Sequence, residues 1–330
     1  MARALCRGLV VAALIASCLG KTADQLAKEA TDDFKDMKIV LLEKKGTNTS
    51  YKVGNEAHLL QNRDFVKSKQ TVLYIHGALQ SPSDVSSQTV TNALKKTGRY
   101  NLVLIDWSQY TTNSNGKGQF KTNFGNMSAV SERAGRSVKA LVQAGLPLNS
   151  LWVVAHSMGA QMAAFVSRAL DRKVPRLTAL DPAGAKAPFL GFPHLVREDA
   201  LFVDVIHTDA GTTFDTRGYD GDCGHIDFWP NNGRAIQPGC ENVKGDQFEP
   251  GRCSHAQSYR YFAESILSPE AFPAVQCNTW AGFKSKKCPA NKKNVAYMGY
   301  NASPKQKGRF FLRTGSSSPF GLGKAGLLPK

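Results

Sequence analysis

Val153-Val154-Ala155-His156-Ser157-Met158-Gly159 joins an apolar run of strand length, Leu151 to Val154, to a helix-like stretch, Ala160 to Leu170, and leaves one serine at the sharp junction. That is the sequence form of a nucleophile elbow. Strain at such a turn and close packing of the next helix on the sheet call for small neighbours, which Gly159, Ala160, Ala163 and Ala164 supply. The usual pattern is Gly-x-Ser-x-Gly, so Ala155 places one methyl where glycine has none. A pentapeptide of this kind is a weak signal alone, because a serine capping any helix can match it. Its weight comes from its partners.

Outward from the elbow, Thr71 to Ile75, Leu102 to Ile105, Leu177 to Leu180 and Leu201 to Ile206 are apolar runs of strand length, while Val85 to Lys96 and Val130 to Ala144 read as helices. Short apolar runs alternating with helical stretches predict an α/β fold class, with a mainly parallel central sheet and helices on both faces. Residues about 21 to 70 are charged and weakly periodic, and suggest short edge strands at Lys38 to Leu42 and Ala57 to Leu60. Asp209 to Cys253 is rich in Gly, Asp, Asn and Pro, so loops are expected to dominate there. A helix is expected at Ala256 to Leu267, with His255 in the loop just ahead of it.

A serine hydroxyl needs a general base, and the base needs a carboxylate to orient it. In α/β hydrolases the three follow in the order Ser, acid, His. Leu177 to Leu180 ends in Asp181-Pro182, which places a carboxylate at the carboxyl edge of the sheet, where ligands bind in such folds. Of seven histidines, His58 lies in the leading segment and His156 is tied beside the serine. His76, His194, His207 and His225 fall at strand ends or in loops, where structural hydrogen bonding is the ordinary role. His255 has the right chain order and lies next to Cys253, so Ser157, Asp181 and His255 are the expected triad. The oxyanion formed on acyl attack needs backbone donors. Met158, just after the nucleophile, and Ala78, after the strand and turn Tyr74-Ile75-His76-Gly77, are the candidates.

Arg3 and Arg7, the apolar run Leu9 to Leu19 and small residues at Cys18 and Gly20 read as a secretory signal peptide over 1–20, leaving 21–330 as a single catalytic domain. No later segment supplies about 20 uninterrupted apolar residues, so no transmembrane segment is expected. The protein is expected to be secreted and extracellular. Lysine and arginine number 42 against 26 acids, a net charge of +16 that falls to +14 without Arg3 and Arg7. No zinc-finger, RRM or helix-turn-helix signature accompanies it, which excludes the common nucleic-acid classes. An anionic lipid surface or a glycan suits the charge better, as does a merely solvated face; much of the excess lies late, from Lys284 to Arg309. An oxidising compartment favours pairing cysteines, and neighbours in sequence suggest Cys240 with Cys253 and Cys277 with Cys288. Cys223 is then the odd thiol: buried, reactive or pairing between chains. Asn48, Asn126 and Asn301 open Asn-x-Ser triplets and are glycosylation candidates.

Several motifs occur together and in order: Ile75-His76-Gly77, Asp106-Trp107-Ser108, His156-Ser157-Met158-Gly159-Ala160, Leu180-Asp181-Pro182-Ala183, Val203 to Asp209, Gly224 to Asn231, Gln237-Pro238-Gly239-Cys240 and Cys253-Ser254-His255. Together they resemble the pancreatic lipase family, especially its arthropod neutral lipases and phospholipases A1, from about Lys38 to Gly321. The resemblance implies an α/β-hydrolase fold, the triad Ser157, Asp181 and His255, and oxyanion donors at Met158 and Ala78. It implies that Cys240 and Cys253 bracket a lid, here only Glu241 to Arg252, much shorter than in triacylglycerol-specific members. A short lid accompanies phospholipase A1 activity in the family, whereas the loop Asp209 to Gly224, which also frames the groove, is not strongly shortened. Relatives carry a structural calcium site in the segment before Val203; here that segment is short and has His194 where a carboxylate is expected, so no metal or cofactor is expected. The chain stops where vertebrate relatives begin a β-sandwich domain, so no colipase partnership is implied.

The expected function is therefore a secreted lipid carboxylic ester hydrolase, a phospholipase A1 or triacylglycerol lipase. It would meet its lipid substrate at a membrane or emulsion interface. The alternative is a catalytically silent lipid-binding or yolk-like storage protein of the same fold, a class that typically has lost the serine this chain keeps.

Overall fold

The computed structural model describes residues 34–43, 48–111, 127–184, 194–213, 216–245 and 249–329. The apolar runs read from the sequence become the middle of one 11-stranded sheet. Its strands are β1 Lys38–Leu42, β2 Asn48–Lys52, β3 Gln70–Ile75, β4 Tyr100–Asp106, β5 Leu151–His156, β6 Val174–Leu180, β7 Ala200–Ile206, β8 Ile226–Pro230, β9 Pro273–Gln276, β10 Val295–Tyr297 and β11 Gly308–Leu312. Their spatial order is β10-β9-β11-β8-β7-β6-β5-β3-β4-β1-β2. From β4 across to β11 every pairing is parallel, and antiparallel strands close both sides. The expected α/β hydrolase architecture is present.

Strands covered on both faces need apolar side chains in both directions, and every residue of β5 is buried. Leu73 and Ile75 of β3 join one core and Val72 and Tyr74 the other. Helices α1 Val85–Thr97 and α4 Glu249–Leu267 cover the second core; α2 Met127–Gln143 and α3 Met158–Ala169 cover the first. The α2–α3 contact is close because Gly135 has no side chain: a Cβ there would lie 2.8 Å from the Ala169 Cβ. Each Val or Leu buried between such layers stabilises the fold by about 1.5–3 kcal/mol.

Three expectations are corrected. Ala57 to Leu60 is not a strand but lies in a 3-10 helix, Glu56–Gln61, and its buried residues Glu56, Leu59 and Leu60 follow helical spacing rather than alternation. The stretch from Asp209 to Cys253 contains β8, whose five residues are all buried. Helix α4 starts at Glu249, so His255 stands on the helix and not in a loop. Pro250 falls in the first turn, where its missing N–H leaves no intrahelical bond unmade.

Both cysteine pairs read from the sequence are joined, Cys240–Cys253 and Cys277–Cys288. Cys223 is buried in the first core, and burial pushes its thiol well above the ordinary range. Such a thiol is inert, not a nucleophile. Asn48 and Asn301 are exposed; Asn126 and the expected signal peptide lie outside the described residues. Among those residues no helix is long and apolar enough to cross a membrane.

Candidate active site

Ser157 sits between the end of β5 and the start of α3 with φ 55° and ψ −123°. An L-residue adopts this conformation only where its surroundings over-determine it. Here the Ser157 N–H donates to the Leu180 carbonyl at 3.0 Å and its carbonyl accepts from the Ala183 N–H at 3.1 Å, clamping the turn to the end of β6. Gly159 is required by space, since a Cβ would lie 2.4 Å from both the Ile75 and His76 carbonyl oxygens. Any side chain there would lift α3 off β3. Ala155 is tolerated because its methyl packs into the first core.

Asp181 follows β6, fully buried and at φ 44°. Its Oδ1 accepts the backbone N–H groups of Thr208 at 2.8 Å and Asp209 at 3.2 Å, and its Oδ2 is 2.5 Å from His255 Nδ1. That arrangement fixes the carboxylate through both oxygens and leaves the other ring nitrogen of His255 for proton transfer. Gly218 packs against the same carboxylate, where a Cβ would lie 2.6 Å from Oδ1. The His255 ring lies 4.7 Å from the ring of His156, the residue preceding the serine. Helix α4, far along the chain, thus brings the base to the elbow.

His156 is buried, and burial together with the neighbouring His255 holds its pKa well below the usual imidazole range. It is therefore neutral, and its Nδ1 lies 3.1 Å from Gln80 Oε1. The same Gln80 oxygen accepts the Gly77 N–H at 2.7 Å. Gln80 thereby braces the loop that carries Ala78 against the elbow. At Gly77 a Cβ would lie 3.0 Å from the Ser157 Cβ, which shows how near this loop comes to the serine. No hydrogen bond among the described residues uses the Ala78 N–H, and the Met158 N–H opens a helix, where the first amides have no intrahelical acceptor. Two donors are available beside one nucleophile.

The sequence reading missed Gln80 and the part played by Asp209. Asp209 is fully buried, 8 residues ahead of its partner Arg217, whose N–H donates to Oδ2 at 3.1 Å. Burial and the charge of Asp181 push its carboxyl up to about 7, and its Oδ1 has no hydrogen-bond partner. Gln161, where the family has histidine, donates to the Ala183 carbonyl at 2.6 Å and accepts the Leu195 N–H at 2.7 Å. It is a strut behind the triad acid.

Two buried clusters have donor atoms close enough to hold a metal ion: Asp181, Asp209 and His255, and His207, Cys223 and Asp227. In the first, Asp181 is already shared between His255 and two amides. In the second, Asp227 Oδ1 takes His207 Nε2 at 2.9 Å and the Cys223 N–H at 3.1 Å, and the protonated thiol is a poor ligand. Internal hydrogen bonds account for both.

The lipase family model matches residues 14–320. The chain is 29% identical over 313 residues to pancreatic triacylglycerol lipase of Sus scrofa, covering 86% of this chain and 67% of that protein. It is 31% identical over 292 residues to pancreatic lipase-related protein 2 of Homo sapiens, covering 81% and 60%. It thus spans about two thirds or less of these relatives' length. An α/β-superfamily hydrolase from Xanthomonas campestris superposes on 61% of this chain with TM-score 0.34 and 14% identity, too loosely to carry an argument. A family match over nearly the whole chain, with the elbow, acid and histidine in their places, makes this protein a member of the lipase family.

Proposed function

We propose that this protein is a secreted carboxylic ester hydrolase acting on lipids through Ser157, His255 and Asp181. The observation that carries the reading is the Asp181–His255 pair, 2.5 Å apart and braced by two backbone amides, beside a serine held in a strained turn. In the first step His255 Nε2 accepts the Ser157 proton as Oγ adds to the acyl carbonyl, and the oxyanion is held by the Met158 and Ala78 N–H groups. The imidazolium, stabilised by Asp181, then protonates the leaving alcohol. Water, deprotonated by the same imidazole, attacks the acyl-enzyme and releases the fatty acid. We read the described strands as one catalytic unit, because all of them belong to a single sheet.

Phospholipid is the favoured substrate. Cys240 and Cys253 are only 13 positions apart, so the segment they bracket can cover little of an acyl groove. The test follows fatty-acid release from phosphatidylcholine vesicles and from triolein emulsion in parallel, with Ser157→Ala as control. Release from phospholipid with sn-2 lysolipid remaining supports phospholipase A1 action, and release mainly from triolein supports a triacylglycerol lipase. Stoichiometric lipid binding without turnover would replace both by the carrier reading.

A further inference from the structure

The late lysines, scattered in sequence, are gathered by the fold onto one edge of the sheet. Lys286 and Lys287 follow the short helix α5 Trp280–Lys284 and are tied through the Cys277–Cys288 bridge to the end of β9. Lys292 and Lys293 precede β10, whose lead-in residue Asn294 accepts the Gln276 N–H at 2.8 Å. Lys305 and Lys307 precede β11, and the Gln276 side chain donates to the Lys307 carbonyl at 2.9 Å. All six are exposed, and none has a carboxylate in ion-pairing range among the described residues. Asp222, on the same edge, is already held by Arg309 at 2.7 Å. The positive field there is felt by His225, just ahead of β8: burial and the charges of Lys307, Arg197 and Lys173 lower its pKa.

This edge is the amino-terminal one. β11 runs parallel to β8 with Gly308 opposite Ile226, and β8, β7, β6 and β5 are parallel in turn. Ser157 lies beyond the carboxyl end of β5. At about 3.3 Å per residue, strands of this length put the lysines roughly 20 Å from the level of the serine and facing away from it. Electrostatic attraction in physiological salt decays over about 8 Å. If the elbow faces lipid, as the reading above requires, these lysines do not touch the same bilayer.

We infer that this lysine edge binds a linear polyanionic polysaccharide, one carrying sulfate or carboxylate groups, and tethers the protein while the serine edge stays free. Lysine ammoniums act as point charges and suit spaced anionic groups without demanding one geometry. The loops that carry them are held by a disulfide and by backbone hydrogen bonds, so little ordering opposes binding. Paired cysteines indicate an oxidising compartment, where such polysaccharides are the linear polyanions at hand.

The test compares Lys286→Glu/Lys287→Glu/Lys292→Glu/Lys293→Glu with a control of equal charge change on the far side of the sheet, Lys35→Glu/Lys38→Glu/Lys52→Glu/Lys67→Glu. Binding is measured to immobilised heparin across a salt series and to vesicles of phosphatidylcholine with phosphatidylglycerol. The edge variant is expected to lose on the order of tenfold or more in heparin affinity and to show a shallower salt dependence, while the control and vesicle binding change little. Heparin-bound wild type should still hydrolyse a water-soluble ester. Equal loss in both variants would reduce the effect to net charge, and loss of vesicle binding with the edge lysines would assign them to the bilayer; either overturns the inference. Binding is read equally well on a Ser157→Ala background, so failure of the hydrolase reading leaves this test intact.

Discussion

Two buried histidine–aspartate pairs stand at the carboxyl edge of the same sheet, and only one is equipped for catalysis. His255 meets Asp181 through Nδ1 at 2.5 Å and His207 meets Asp227 through Nε2 at 2.9 Å. His255 keeps 8% of its surface exposed and lies against the residue next to Ser157. His207 has none exposed, and its ring stacks on Trp229 with centroids 3.9 Å apart. Its remaining nitrogen has no partner and no outlet to solvent. A close His–Asp contact is thus insufficient for general-base work. What separates the pairs is which nitrogen the acid occupies and what the other can reach.

The largest expected effect divides them most sharply. Asp181→Asn should lower kcat by roughly 10⁴-fold with a folded protein remaining, because the amide favours the wrong imidazole tautomer. Ester hydrolysis and a thermal melt on the same preparation check it. Asp227→Asn should do the reverse: kcat within about threefold, but stability lower by about 1–3 kcal/mol, since an amide nitrogen would face the Cys223 and Gly224 N–H donors. A chemical-denaturation curve reads this, and a large kcat loss without destabilisation would break the comparison.

A smaller effect is expected at Gln80. Gln80→Ala removes the acceptor shared by the Gly77 N–H and His156, so the Ala78 donor is less well placed. The expected loss is about tenfold in kcat with KM little changed, below the 10²–10³ that follows deleting an oxyanion donor outright. Steady-state kinetics on a soluble ester distinguish the two parameters.

The smallest effect concerns the second acid beside the working pair. The Asp209 carboxyl is raised from its ordinary value to about 7 by burial and by Asp181. Between about pH 4 and 7 the native state therefore holds a proton that the unfolded chain has released, and this group's contribution falls as pH rises through that window. Asp209→Asn removes the dependence, so its melting temperature relative to wild type should improve from pH 5 to pH 8. A difference that stays flat or runs the other way would show that Arg217 dominates the site.

Much of the working pair was legible because its parts are local. The strand–serine–helix junction is written in seven consecutive residues, Asp181 ends a recognisable apolar run, and His255 lies beside a cysteine. The strands β8 to β11 were not legible. Ile226–Pro230 and Gly308–Leu312 are short apolar runs among turn-forming residues, and it is their pairing with each other, 82 positions apart at Gly308 and Ile226, that makes them strands. The 3-10 helix at Glu56–Gln61 was misread because apolar residues in so short a segment fit two periods equally well.

By itself, the sequence determined the fold class, the elbow, the chain order of the triad and the pairing of four cysteines. All of these are carried by neighbours along the chain. Tertiary structure alone decided that Asp209 crowds Asp181, that His207 is sealed under Trp229, that Gln80 braces the oxyanion loop and that the late lysines share the edge opposite Ser157. Those relations depend on strand register and helix docking between residues distant in sequence, where burial and spacing in three dimensions set charge and access.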